Sequence, residues 1–249
     1  MFYKRHTLKQ RPELELQIVT LSKNAWPTFL LHGNSPHWGS LFRTFAAFQI
    51  LLCDSSEKVI AIGHTVPLIW DGTPDDLPET IDEIVVRAMD AHQKQQPVNI
   101  FSALAAIVAK EYQGQGLSTV LVREMRSLAV EFGCYNLIAP VRPVWKKLYP
   151  LTPMEHYVQW KREDGVPFDP WIRVHWRLGA EQLRVAPNTL TVKGSVAEWE
   201  EWTGMCFPES GKYIVPGALH PVSIDRERDF GYYEDPNIWM KHSMHKTGN

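Results

Sequence analysis

The stretch Ile107–Val122, IVAKEYQGQGLSTVLV, constrains this chain more than any other. An apolar run ends at Val108. A turn follows, Gln113-Gly114-Gln115-Gly116-Leu117-Ser118, and a helical apolar pattern begins within it. A strand that feeds a glycine turn and opens a helix exposes the first N–H groups of that helix, which have no partner inside it. Such a terminus attracts anions, and glycine lets the main chain approach a phosphate with positive φ. The turn is therefore expected to hold a phosphate or pyrophosphate. The competing reading is an ordinary strand–turn–helix with glycine for packing.

The pattern excludes two common phosphate binders. No Gly-Lys-Ser/Thr follows the glycines, so this is not a P-loop. The dinucleotide fingerprint needs a third glycine, and Thr119 stands in that place. The spacing instead resembles the acetyl-CoA motif of the GNAT (Gcn5-related N-acetyltransferase) superfamily, Arg/Gln-x-x-Gly-x-Gly/Ala preceded by Val-x-Pro-x-Tyr. Val108-Ala109-Lys110-Glu111-Tyr112 leads into Gln113, Gly116 and Ser118. Lys110 replaces the proline, and Ser118 replaces the last small residue.

Periodicity orders the rest. Residues 13–21 alternate in part and read as a first strand, and Ser22-Lys23-Asn24 as the cap of a helix over 25–31. Leu41–Phe45 reads as a helical turn. Phe48–Cys53 and Lys58–Ile69 read as a hairpin, Trp70–Leu77 as a loop and Pro78–Gln96 as a helix. Val98–Val108 reads as a buried strand, Gly116–Phe132 as a helix closed by Gly133, and Tyr135–Ala139 as another buried strand. This order matches the GNAT order through about residue 150. Beyond it, alternation makes Ile172–Leu178 a strand, Ser195–Trp202 a capped helix and Lys212–Val215 a possible strand. The last 30 residues read as turn-rich and aromatic.

The expected fold is α/β: the GNAT acyl-CoA acyltransferase fold, a mixed and mostly antiparallel sheet flanked by helices, with a C-terminal extension. Residues 1–150 are expected to form the core. Residues 151–249 are expected to pack on it and complete sheet and pocket.

The chain has 249 residues and a formal net charge of −2, so no broad basic field draws nucleic acid or anionic lipid. The three cysteines lack ligand or disulfide spacing, and no apolar run reaches the roughly 18 residues of a membrane span. The expectation is a soluble cytoplasmic protein without a metal; its oligomeric state is not legible. The ten tryptophans lie mostly beyond residue 140, where they could build a core or wall a pocket.

The resemblance implies acetyl-CoA, or another acyl-CoA, as donor. It implies cofactor contacts at Gln113, Gly114, Gln115, Gly116, Leu117 and Ser118. Main-chain contacts to the acyl arm would come from Ala106, Ile107 and Val108. Tyr149, in the Lys147-Leu148-Tyr149 context after the fifth strand, is the candidate acid for the thiolate. The fourth strand, Phe101–Val108, carries no carboxylate to serve as base. His175, flanked by Arg173 and Arg177 on one face of the expected strand, is the leading substitute, because histidine titrates near neutrality. His64 is a lesser candidate, and His37-Trp38 could line the acceptor side.

Trp38, the segment 139–143 and the segment 169–175 are also similar to GNAT-like loading domains of polyketide synthases. That likeness implies malonyl-CoA decarboxylation and acetyl transfer to an acyl carrier protein, with Trp38 and His175 in the roles of the family's Trp and His. The family's threonine falls on Val144, which has no hydroxyl. The function expected is acyl transfer from acyl-CoA to a small-molecule acceptor. The alternatives are the decarboxylase and S-acetyltransferase acting on a carrier protein, and an acyl-CoA binding protein without turnover.

Overall fold

The structure is a computed structural model and describes residues 3–244; His245 lies outside them. The elements in chain order are β1 (Lys4–Thr7), α1 (Glu15–Ala25), α2 (Ser40–Arg43), β2 (Gln49–Cys53), β3 (Val59–Leu68) and α3 (Ile81–Gln93). There follow β4 (Ile100–Val108), α4 (Leu117–Glu131), β5 (Asn136–Val141), α5 (Met154–Tyr157) and α6 (Pro170–Arg177). Then come β6 (Glu181–Gly194), α7 (Val196–Thr203), β7 (Gly211–Tyr213), β8 (Val222–Asp225) and β9 (Phe230–Ser243).

One sheet runs β1-β2-β3-β4-β5-β9-β8-β7, and β6 pairs β9 on its other edge. The β4–β5 pair is parallel, and the pairs β1–β2, β2–β3, β3–β4, β5–β9, β6–β9, β7–β8 and β8–β9 are antiparallel. The expected mixed, mostly antiparallel sheet is thus present. Helix α4 covers one face, where Leu121 and Met125 press on Gly63 so closely that a Cβ there would lie 2.6 Å from Met125. Ile172 of α6 joins the same apolar cluster. The other face is covered by α1 around Ile62 and Ile107 and by α3 around Val66, Leu104 and Trp239.

Four expectations are corrected. Residues 13–21 are not a strand. Leu14, Ile18 and Leu21 fall on one face of a helix and pack on the sheet, while Leu16, which alternation would bury, is 75% exposed. Helix α1 ends at Ala25, because Pro27 forces Trp26 into extended backbone; one 3-10 turn, Thr28–His32, replaces the expected helix over 25–31.

Ile172–Leu178 is not a strand either. Asp169 accepts hydrogen bonds from the amides of Trp171 and Ile172, and Pro170 occupies the first helical position, a helix-start signal stronger than a short alternation. The last 30 residues hold the 14-residue β9. Gly231 and Asp235-Pro236 read as turns in isolation. In the fold, Pro236 sits where the β6–β9 register shifts, on the stretch of β9 that lies between its β5 and β8 partners, so its missing N–H costs no ladder bond.

Among the described residues, no helix is long and apolar enough to cross a membrane, and no group of three or more His, Cys, Asp or Glu is placed to hold a metal.

Candidate active site

Strands β4 and β5 pair only at Phe101–Leu137 and Ser102–Ile138. Beyond Ser102 the parallel neighbours splay apart, so β4 keeps an edge without a strand partner. A bulge sits at the same place. His64 of β3 faces Ala105, whereas Thr65 faces Ala103, which leaves Leu104 as the extra residue. The bulge turns Leu104 and Ala105 to the same side, and downstream Ala106 and Val108 point toward the α4 face, where both are only partly buried.

The glycine turn lies immediately after this open edge. Gly114 (φ 76°) and Gly116 (φ 82°) adopt left-handed backbone. The Gln113 amide is not available, because it donates to the Lys110 carbonyl at 3.3 Å. Its side chain donates to the Val108 carbonyl at 3.1 Å and ties the turn to the end of β4. The amides of Gly114, Gln115, Gly116, Leu117 and Ser118 have no hydrogen-bond partner among the described residues; the first bonded helical amides are those of Thr119 and Val120, both on Gly116. Nothing stands within 4 Å of where a Cβ would lie on Gly114 or Gly116. Five amides without partners and a helix N-terminus meet here, an arrangement that can attract an anion.

On the opposite side of the bulge, His64 is 1% exposed. Its Nδ1 lies 2.8 Å from Gln49 Oε1, and the rings of Trp38 and Phe42 stand edge-on at 5.3 and 5.8 Å. Burial alone lowers its pKa to about 4. Trp38 is held by a turn fixed to α3: the His37 amide and Nδ1 both meet Asp82, at 3.0 and 2.9 Å. A surface hollow of about 550 Å³ opens beside the same loop, lined by His32, Asn34, Ser35, Thr191 and Lys193 among others.

At the C-terminal end of β5, Arg142 grips Asp235 of β9 through Nε and Nη2, with contacts of 2.8–3.1 Å. Tyr233 donates to the same carboxylate at 2.6 Å and accepts from the Leu219 amide. Lys146, buried and pushed down to about 8 by desolvation, donates to the carbonyls of Tyr149 and Leu219. Arg142 lies in the segment 139–143 that carries the loading-domain likeness, but nothing local in the sequence links it with Asp235, 93 positions away.

The candidate acid lies after β5 as expected, whereas the candidate base falls elsewhere than expected. Tyr149 ends the 3-10 turn Lys146–Leu148 and packs among Tyr157, Trp160 and Phe168, partly buried. His175 is on helix α6, not on a strand beside two arginines. It is 3% exposed, with Nδ1 at 2.9 Å from Nε2 of His242 on β9. Burial, and then His242, hold its pKa well below the usual value. Enclosed in this way, His175 pairs two elements of the core. The structure does not bring it together with Trp38, which contacts His64 instead.

No protein-family model matches the sequence. The chain is 31% identical to the arginine N-acetyltransferase avaD of Aspergillus versicolor, over 88% of this chain and 86% of that protein. Its fold is similar to the loading GNAT-like domain of CurA from Lyngbya majuscula (TM-score 0.64, 15% identity, 98% of both chains). It is also similar to the GphF GNAT-like decarboxylase solved with isobutyryl-CoA (TM-score 0.57, 12% identity, 98% of this chain and 100% of that one). At these identities the two structures speak for the fold alone. A splayed parallel pair, a bulge at its mouth and an open-amide turn agree with that fold, and with the sequence relative they show that the protein belongs to the GNAT superfamily and is an acyltransferase of that type.

Proposed function

We propose that the protein transfers an acetyl group from acetyl-CoA to the primary amine of a small molecule, with arginine or an arginine-like amine as the first acceptor to test. The observation that carries this reading is the set of open amides from Gly114 to Ser118 at the mouth of the β4–β5 gap. In the proposal they bind the diphosphate of coenzyme A, and Gln115, Leu117 and Ser118 contribute main chain only. The pantetheine arm then runs along the free edge of β4, against the main chain of Ala106, Ile107 and Val108. Main-chain donors there would polarise the thioester carbonyl, the role such groups play in stabilising developing oxyanions. Tyr149 remains the candidate proton donor to the thiolate.

The acceptor rests on the sequence relative, an arginine N-acetyltransferase. The same relative disfavours the carrier-protein decarboxylase and the reading without turnover. Val144, where a hydroxyl would be needed for the former, is 44% exposed in the turn after β5.

Calorimetry with acetyl-CoA tests the donor half; absence of heat at high micromolar concentration sinks the reading. Thiol release on adding L-arginine, with mass spectrometry of the product, tests the acceptor half. Release with other amines but not with arginine would keep the donor and discard that acceptor.

A further inference from the structure

We infer that His64 is the catalytic residue that receives the proton of the acceptor amine, through an Nε2 lone pair held open for it; this rests on the N-acetyltransferase reading above. The tautomer follows from Gln49. Its amide nitrogen donates to the carbonyls of Phe45 and Thr65, at 2.8 and 3.0 Å. Both partners are acceptors, so the orientation of the Gln49 amide is fixed and Oε1 can only accept. The Nδ1 that it meets at 2.8 Å therefore carries the proton. Nε2 is left as a bare lone pair.

That lone pair is buried and has no partner among the described residues. An unsatisfied buried acceptor is costly, and native proteins leave few of them. The position gives the reason. His64 faces Ala105 across the β3–β4 ladder, at the bulge where β4 leaves β5. The residue between the imidazole and the free edge of β4 is an alanine, which blocks little. The rings of Trp38 and Phe42 flank the imidazole, steeply inclined to it. Two rings, a methyl group and one lone pair suit the N–H of a neutral primary amine, and suit a carboxylate or phosphate poorly. Burial keeps the imidazole uncharged at neutral pH, so the lone pair is always present.

In the step, the amine nitrogen forms a bond to the thioester carbonyl carbon and the C–S bond breaks with its electron pair on sulfur. The amine proton passes to His64 Nε2 and then to solvent, while Tyr149 protonates the thiolate and takes its own proton back from solvent. Amide and CoA thiol result, and His64 returns to its starting state.

Two variants separate this role from support of the fold. H64N places an amide N–H near the position of Nδ1, keeps the bond to Gln49 and deletes the Nε2 lone pair. H64Q places its amide group near Nε2. We expect H64N to lose at least about 100-fold in kcat/KM for L-arginine, within the range typical of a lost proton acceptor, with its Kd for acetyl-CoA unchanged within threefold. H64Q, whose amide near Nε2 cannot take up a proton, is expected to lose activity to the same degree. Activity of H64N within fivefold of the unmodified enzyme overturns the inference and leaves the donor reading intact. Loss of acetyl-CoA binding by the unmodified protein instead sinks the donor reading itself. Should the variants not fold, or arginine not react, long-range proton–nitrogen NMR on the unmodified protein with CoA and n-propylamine decides. A pyridine-type Nε2 resonance that moves on adding the amine supports the role; an Nε2–H resonance, or no movement, overturns it.

Discussion

The turn at Gly114–Ser118 and the cluster around Asp235 stand at the same end of the sheet, because β4 and β5 are parallel and each place follows or faces one of their C-terminal ends. Both gather polar groups. In the first, five amides have no partner among the described residues. In the second, Arg142, Asp235, Tyr233 and the Leu219 amide satisfy one another. Removing water from polar groups is costly unless they are paired. The paired cluster therefore anchors β9 to the end of β5, whereas the turn keeps unpaired donors, where the proposal seats the diphosphate. His64, His175 and His242 each keep one buried ring nitrogen without a partner, and of the three only His64 stands at the bulge beside the gap.

The largest effect that tests this contrast is on the anchor. Asp235→Ala leaves Arg142 buried without a counter-charge and should cost about 3–5 kcal/mol of stability, read as a lower denaturant midpoint. If the midpoint barely moves, the cluster is not an anchor.

Acid comes next. The pKa of His242 is lowered to about 4 by burial and then by Arg126 of α4, and that of His175 is held well below the usual histidine value by burial and then by His242. The unfolded chain binds these protons near the ordinary histidine value, so the stabilisation is complete above that value and declines as pH falls toward 4. The slope is about 1.4 kcal/mol per pH unit for each histidine. A melting series from pH 7 to 4 checks it, and His242→Gln should flatten the slope by one proton.

On the receiving side, Gly116→Val forces a β-branched residue to φ 82°. Such a conformation costs about 1–2 kcal/mol, equivalent to about tenfold in Kd when it is relieved by disordering the turn. Calorimetry should show acetyl-CoA binding weakened by that factor or more, with the anchor undisturbed. Binding within twofold of the unmodified protein would dissolve the comparison.

The smallest effect serves as a control. Ser195 and Glu198 form a capping box on α7, remote in the fold from the turn. Ser195→Ala should cost about 1 kcal/mol of stability and leave acetyl-CoA affinity unchanged.

The sequence by itself determined the strand–turn–helix over β4 and α4, the β2–β3 hairpin, α3 and the capped α7. Each of these is written in nearest neighbours: glycine at positive φ, a cap three residues before its glutamate, apolar residues at helical spacing. It also carried the resemblance to the GNAT superfamily. Only the tertiary structure decided that 170–177 is a helix, that β9 runs beside β5, that the Gln113 amide is already bonded, and that His64 carries its proton on Nδ1. The reason is the range of the interactions involved. A cap or a turn is settled within four residues, whereas Arg142 finds Asp235, His175 finds His242, and Gln49 fixes a histidine on the next strand only after the sheet has brought distant segments together.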